Sequence, residues 1–114
     1  MNTLYFYTNS VECEQSLNFS DCRDYKKILS DNNWSFNNID LYQNASEVLA
    51  LSQIIGNVVS TPQFIIRDSS NALVTYFSSM DLKLELNMGP DSGEVYLTAA
   101  KSLLEEKLIK YQVI

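Results

Sequence analysis

The stretch Val59-Ser60-Thr61-Pro62-Gln63-Phe64-Ile65-Ile66 puts a proline at the head of an apolar, β-branched run. Proline has no amide hydrogen to give to a sheet ladder, so a strand tolerates it only at its first residue, on an edge or at a bulge. Thr61 to Arg67 therefore reads as a buried strand with Pro62 at its mouth. Two backbone states are open on local sequence. A trans bond would simply end a loop, and trans is the commoner isomer of X-Pro bonds. A cis bond would make a tight turn and leave main-chain groups beside Thr61 open to a peptide or thiol ligand.

The chain has 114 residues, 46% of them hydrophobic, which suits one compact domain with one core. No stretch is apolar for the length a bilayer requires, and the opening MNTLYFYTNS lacks the basic flank of a signal peptide. The expectation is a soluble, cytoplasmic protein with no membrane partner. A formal net charge of −6 argues against nucleic acid, whose binding rests on Lys and Arg against phosphate. Histidine is absent, which removes the commonest general base and the commonest metal ligand. Two cysteines alone do not build a zinc site, so no metal is expected. If the chain does chemistry, its thiols are the agents. In a short intracellular domain they read first as free thiols or a redox pair.

Taken in order, Thr3 to Thr8 is aromatic and β-branched on both faces and reads as a central strand. A helix follows between Val11 and Asp31, with Leu17, Cys22, Tyr25, Ile28 and Leu29 on its apolar face, closed by Asn32 and Asn33. Trp34 to Leu41 alternates as a second strand. Asn44 or Ser46 caps a helix through Val48, Leu51 and Ile55, and Gly56 ends it. Asp68 to Asn71 turns the third strand into a fourth over Ala72 to Phe77. Ser78 and Ser79 suit the start of a short helix through Leu82 and Leu86. A Gly- and Pro-bearing linker over 87–93 leads to a last helix striped by Leu97, Ala100, Leu104 and Leu108. The order β-α-β-α-β-β-α implies a βαβ crossover with parallel strands followed by an antiparallel hairpin, hence a four-stranded mixed sheet in an α/β fold.

On these segments the chain resembles the glutaredoxins. Ser60-Thr61-Pro62-Gln63-Phe64-Ile65 is similar to their cis-proline segment, Cys22 to Leu29 to the start of their first helix, and Phe36 to Leu41 to their second strand. The resemblance implies a thioredoxin-like fold over residues 1–87, with 88–114 a linker and an amphipathic helix packed on the same domain. It also implies a cis Thr61-Pro62 bond. It points to a thiol–disulfide oxidoreductase working through a single cysteine, with glutathione or a protein thiol or disulfide as partner. Cys13-Glu14-Gln15-Ser16 then reads as Cys-x-x-Ser, with Cys13 the nucleophile and Ser16 in the second place. The other alignment puts Cys22 in the second cysteine's place and Phe19 in the first.

Each of these residues has a plainer reading. Cys13 sits between Glu12 and Glu14, whose charges oppose a thiolate. Cys22 falls on the apolar stripe, where cysteine packs as a small hydrophobe. A Cys13–Cys22 disulfide needs a turn between them, since on one continuous helix they would lie about 13 Å apart. The resemblance gives Thr61 and Pro62 the task of aligning a mixed disulfide, and Ser78 and Ser79 that of holding the γ-glutamyl carboxylate. Simple helix capping would serve the serines equally well. The glycine pair expected before them is Thr75-Tyr76 here, and Asn9-Ser10 supplies no basic residue before Cys13. These departures raise a second expectation, a redox-inactive adaptor of the same fold that binds a protein partner.

Overall fold

The computed structural model describes residues 1–15, 20–56, 60–87 and 94–114. Its strands are β1 (Thr3–Thr8), β2 (Asn37–Asp40), β3 (Gln63–Arg67) and β4 (Leu73–Ser78). Its helices are α1 (Asp21–Asp31), α2 (Ala45–Ile55), α3 (Ser79–Leu86) and α4 (Glu94–Lys110). The sheet order is β2-β1-β3-β4. β1 runs parallel to β2, antiparallel to β3, and β3 antiparallel to β4. The α/β class and the four-stranded mixed sheet follow the sequence expectation. The proposed linker from Met88 onward lies outside the described residues.

Strand alternation decides which face each side chain reaches. Leu4 and Phe6 of β1, Phe64 and Ile66 of β3 and Phe77 of β4 point to one face, where Tyr25 and Leu29 of α1, Leu82 of α3 and Tyr96, Ala100, Leu104 and Leu108 of α4 cover them. Tyr7 and Ile65 point to the other face, under Leu51 of α2 and beside Leu41. The main core is therefore a sheet face closed by three helices, and α4 belongs to it. Lys107 of α4 reaches Glu85 of α3 at 2.8 Å.

The second strand is shorter than its sequence pattern suggests. Only Asn37–Asp40 joins the ladder, in register Tyr5↔Asn37 to Thr8↔Asp40. Trp34 donates its backbone N–H to Leu29 O at 3.1 Å, and Trp34 and Phe36 pack against the main core from the connection between α1 and β2.

Tyr25 and Tyr96 share a buried hydrogen bond between their hydroxyls, 2.6 Å long, tying α1 to α4. Burial, together with the Tyr96 hydroxyl, pushes the Tyr25 phenol far above its ordinary pKa, so it stays protonated. Tyr96→Phe leaves the buried Tyr25 hydroxyl without this partner. The expected loss is about 1–3 kcal/mol of unfolding free energy, the cost of an unsatisfied buried polar group. Urea denaturation checks it. The double variant Tyr25→Phe, Tyr96→Phe is expected to recover part of the loss, and a double variant worse than the single one would contradict the account.

Candidate functional site

The site lies where β1 ends, α1 begins and β3 is entered. Asn9 follows β1 and organises the turn. Its side-chain oxygen accepts from Val11 N at 3.0 Å and Glu12 N at 2.8 Å, and its carbonyl accepts from Cys13 N at 3.0 Å and Glu14 N at 2.9 Å. Such side-chain mimicry of a backbone turn is what asparagine offers. Ser10 N donates to Asp40 Oδ1 at 2.9 Å, which anchors the start of the turn to the end of β2. Glu14 pairs with Lys26 of α1 at 3.0 Å.

Ser20 then starts α1. Its backbone is extended and its hydroxyl accepts from Arg23 N at 3.2 Å while donating to the Cys13 carbonyl at 2.7 Å. One capping side chain thus fixes both the helix start and the turn that carries Cys13. Because Cys13 is on a turn and not on the helix, the helical separation does not apply. Its Cα lies 5.9 Å from that of Cys22, and the two form a disulfide. Cys13 is half-buried. Cys22, the second residue of α1, has no exposed surface.

The proline loop stands against this disulfide. The Thr61-Pro62 bond is cis. The Thr61 carbonyl oxygen is 4.0 Å from Cys13 Sγ. The β1–β3 ladder begins at Gln63↔Tyr7, so the Thr61 backbone lies just outside it. On the far side, Ser79 N donates to the Pro62 carbonyl at 3.4 Å and Ser79 Oγ donates to Asp21 Oδ2 at 2.9 Å. Asp21, next to Cys22, also takes Lys83 Nζ at 2.8 Å. A short relay therefore links the helix that holds Cys22 to the loop that faces Cys13.

The structure brings Cys13, Cys22, Thr61, Pro62 and Ser79 to one end of the sheet. Ser78 is beside them, paired with Gln63. Ser16 lies outside the described residues. Both serines are buried, and their polar groups are engaged within the chain. The Ser78 hydroxyl accepts from Asp81 N at 3.1 Å while Ser78 N donates to Asp81 Oδ2 at 2.8 Å, a reciprocal capping box at the start of α3. The Asp81 carboxylate thereby takes the Ser78 amide. The Ser-x-x-Asp spacing could have revealed this cap in the sequence, whereas nothing in the sequence marks the pairing of Asp21 with Lys83. Burial, and next the neighbouring Asp21, raise the Asp24 carboxyl above its ordinary range, with Arg23 and Lys83 opposing.

Among the described residues no cluster of three or more His, Cys, Asp or Glu side chains is arranged to hold a metal. None of the described helices is long and apolar enough to cross a membrane. No family model, curated protein or solved structure matches the chain.

Proposed function

We propose that the chain is a thioredoxin-type thiol–disulfide oxidoreductase with Cys13 as the attacking sulfur and Cys22 as the resolving one. The observation that carries the reading is the Cys13–Cys22 bond itself, with one sulfur half-buried next to the Thr61 carbonyl and the other enclosed at the start of a helix. Cys22 stands in the first turn of α1, and the positive end of the helix dipole favours negative charge there. Asp21 and Asp24 in that same turn weaken the effect.

In the reduced protein, the Cys13 thiolate attacks one sulfur of a substrate disulfide. A mixed disulfide forms at Cys13 and one substrate thiolate leaves, to be protonated by solvent. Cys22, having lost its proton, then attacks the Cys13 sulfur. The internal disulfide re-forms and the second substrate thiolate departs. The substrate gains two electrons and the protein loses two. The Thr61 main chain, beside Cys13 and outside the ladder, is where an extended substrate segment lies during the exchange. Compared with a single-cysteine scheme, the second sulfur gives the mixed disulfide an internal exit.

The test is a single-turnover reaction. The protein, reduced with a dithiol and freed of it, is mixed with excess hydroxyethyl disulfide. Two equivalents of mercaptoethanol per chain are expected, together with loss of both protein thiols and return of the Cys13–Cys22 link in a peptide map. Release no faster than from an unfolded control peptide would reject the oxidoreductase reading and leave the fold as a scaffold for a protein partner.

A further inference from the structure

We propose that this site exchanges with disulfides in neutral or cationic surroundings and discriminates against glutathione disulfide. The inference rests on the oxidoreductase reading above and names its substrate class. Two independent features carry it.

The first is the start of α3, the helix N-terminus beside the proline loop. Helix N-termini attract anions through their free amides. Here the Ser79 amide is given to the Pro62 carbonyl and the Asp81 amide to the Ser78 hydroxyl. The Asp81 carboxylate closes the cap on Ser78 N, and Asp21 sits behind Ser79. Of the first three amides of α3 this leaves Met80 N for an incoming carboxylate, which would bind there beside the carboxylates of Asp81 and Asp21.

The second is the charge around Cys13, the half-buried sulfur. Lys26 and Lys83 are already held by Glu14 and Asp21. Apart from those two pairs, the turn, the first turn of α1 and the start of α3 carry Glu12, Asp24 and Asp81 against Arg23. Glu12 is exposed and precedes Cys13 in the chain. At neutral pH glutathione disulfide carries a net charge near −2, so approach to Cys13 brings like charges together. A cationic disulfide is drawn in by the same field. The matching natural substrate is a protein disulfide flanked by neutral or basic residues.

Three small probes separate the alternatives: cystamine, hydroxyethyl disulfide and glutathione disulfide, cationic, neutral and anionic respectively. Each second-order rate with the reduced protein is divided by that of the same disulfide with mercaptoethanol thiolate, which removes intrinsic reactivity. At low ionic strength the normalised rates are expected to fall in that order, spanning about 10-fold or more, as electrostatic steering typically does. At 0.5 M salt the span is expected to shrink to within about threefold, since the screening length there is well below 10 Å. Glu12→Gln is expected to narrow the low-salt span. Glutathione disulfide reacting as fast as the neutral probe, or a span indifferent to salt, would overturn the substrate class while leaving the oxidoreductase reading intact. No exchange with any of the three would overturn both.

Discussion

Cys13→Ser is expected to reduce disulfide exchange to the uncatalysed background, whereas Cys22→Ser is expected to carry out the first half of the reaction and stop. The asymmetry follows from burial. Cys22 is fully enclosed, so a substrate disulfide has no path to its sulfur, while Cys13 is half-buried at the rim of the proline loop. In Cys13→Ser the remaining thiol is therefore inert, with alkylation by iodoacetamide expected to be at least about 100-fold slower than at Cys13 of the Cys22→Ser variant, because reactivity follows thiolate character and access. In Cys22→Ser the mixed disulfide has no internal attacker and accumulates, visible by mass spectrometry as a stable adduct at Cys13.

Both variants also lose a cross-link closing a ten-residue loop. That costs each of them about 2–3 kcal/mol in the chain-entropy account, so the comparison belongs at a temperature where circular dichroism shows both folded. The loss of stability is shared and the chemistry is not, which is what separates a catalytic sulfur from a structural one. Equal exchange by the two variants, or activity surviving in Cys13→Ser, would reverse the assignment of roles.

Which parts of this molecule could be read from its sequence depended on whether the signal was local. Thr3–Thr8 is legible because both of its faces are buried, Leu4 and Phe6 on one side and Tyr7 on the other, so it is apolar or aromatic between its two threonines. The last helix is legible through Ala100, Leu104 and Leu108, a helical repeat on the buried face. Trp34 and Phe36 mislead because alternation records which residues are apolar and not whether their backbone pairs. Here they cover the core from a loop, and only Asn37–Asp40 is strand. Asn38 compensates for its poor strand propensity by donating from its side chain to Phe6 O at 3.1 Å and to Thr8 Oγ1 at 3.0 Å.

The candidate site divides along the same line. Pro62 at the head of a strand and Cys13 after the first strand are local marks. The meeting of Cys13 with Cys22 depended on where α1 begins, and Ser20 and Asn9 decide that through hydrogen bonds to backbone groups in the turn. Ser78 and Ser79 were open between ligand binding and capping. The deciding partners are Asp81, three residues on, and Asp21, fifty-eight positions away, and only the first is within reach of a sequence pattern.

The site depends on a sheet whose centre is aromatic, and Phe64→Ala is expected to be the most destabilising single truncation there. Phe64 is fully buried in β3. It lies opposite Phe6 and Phe77 in the ladder, with ring centroids 5.0 Å away in each case, and meets the edge of Tyr25 at 5.5 Å. Removing the ring strips three aromatic neighbours of a partner at once. Its surroundings are sheet backbone on one side and three helices on the other, which cannot close in freely, so the cavity largely remains. The expected loss is about 3–5 kcal/mol, in the range for aromatic-to-alanine changes in cores. For a domain of this size that is a large share of a total of about 5–15 kcal/mol, and a fall in Tm of roughly 15 °C or more follows. Tyr76→Ala, one strand over but 45% exposed, is the internal control, and it is expected to lose far less. Urea titrations of the two variants decide the matter. A Phe64→Ala loss below about 1 kcal/mol, or one no larger than that of Tyr76→Ala, would mean that Phe6, Tyr25 and Phe77 do not pack around this ring, and the helix carrying Cys22 would then lack the footing that the proposed exchange requires.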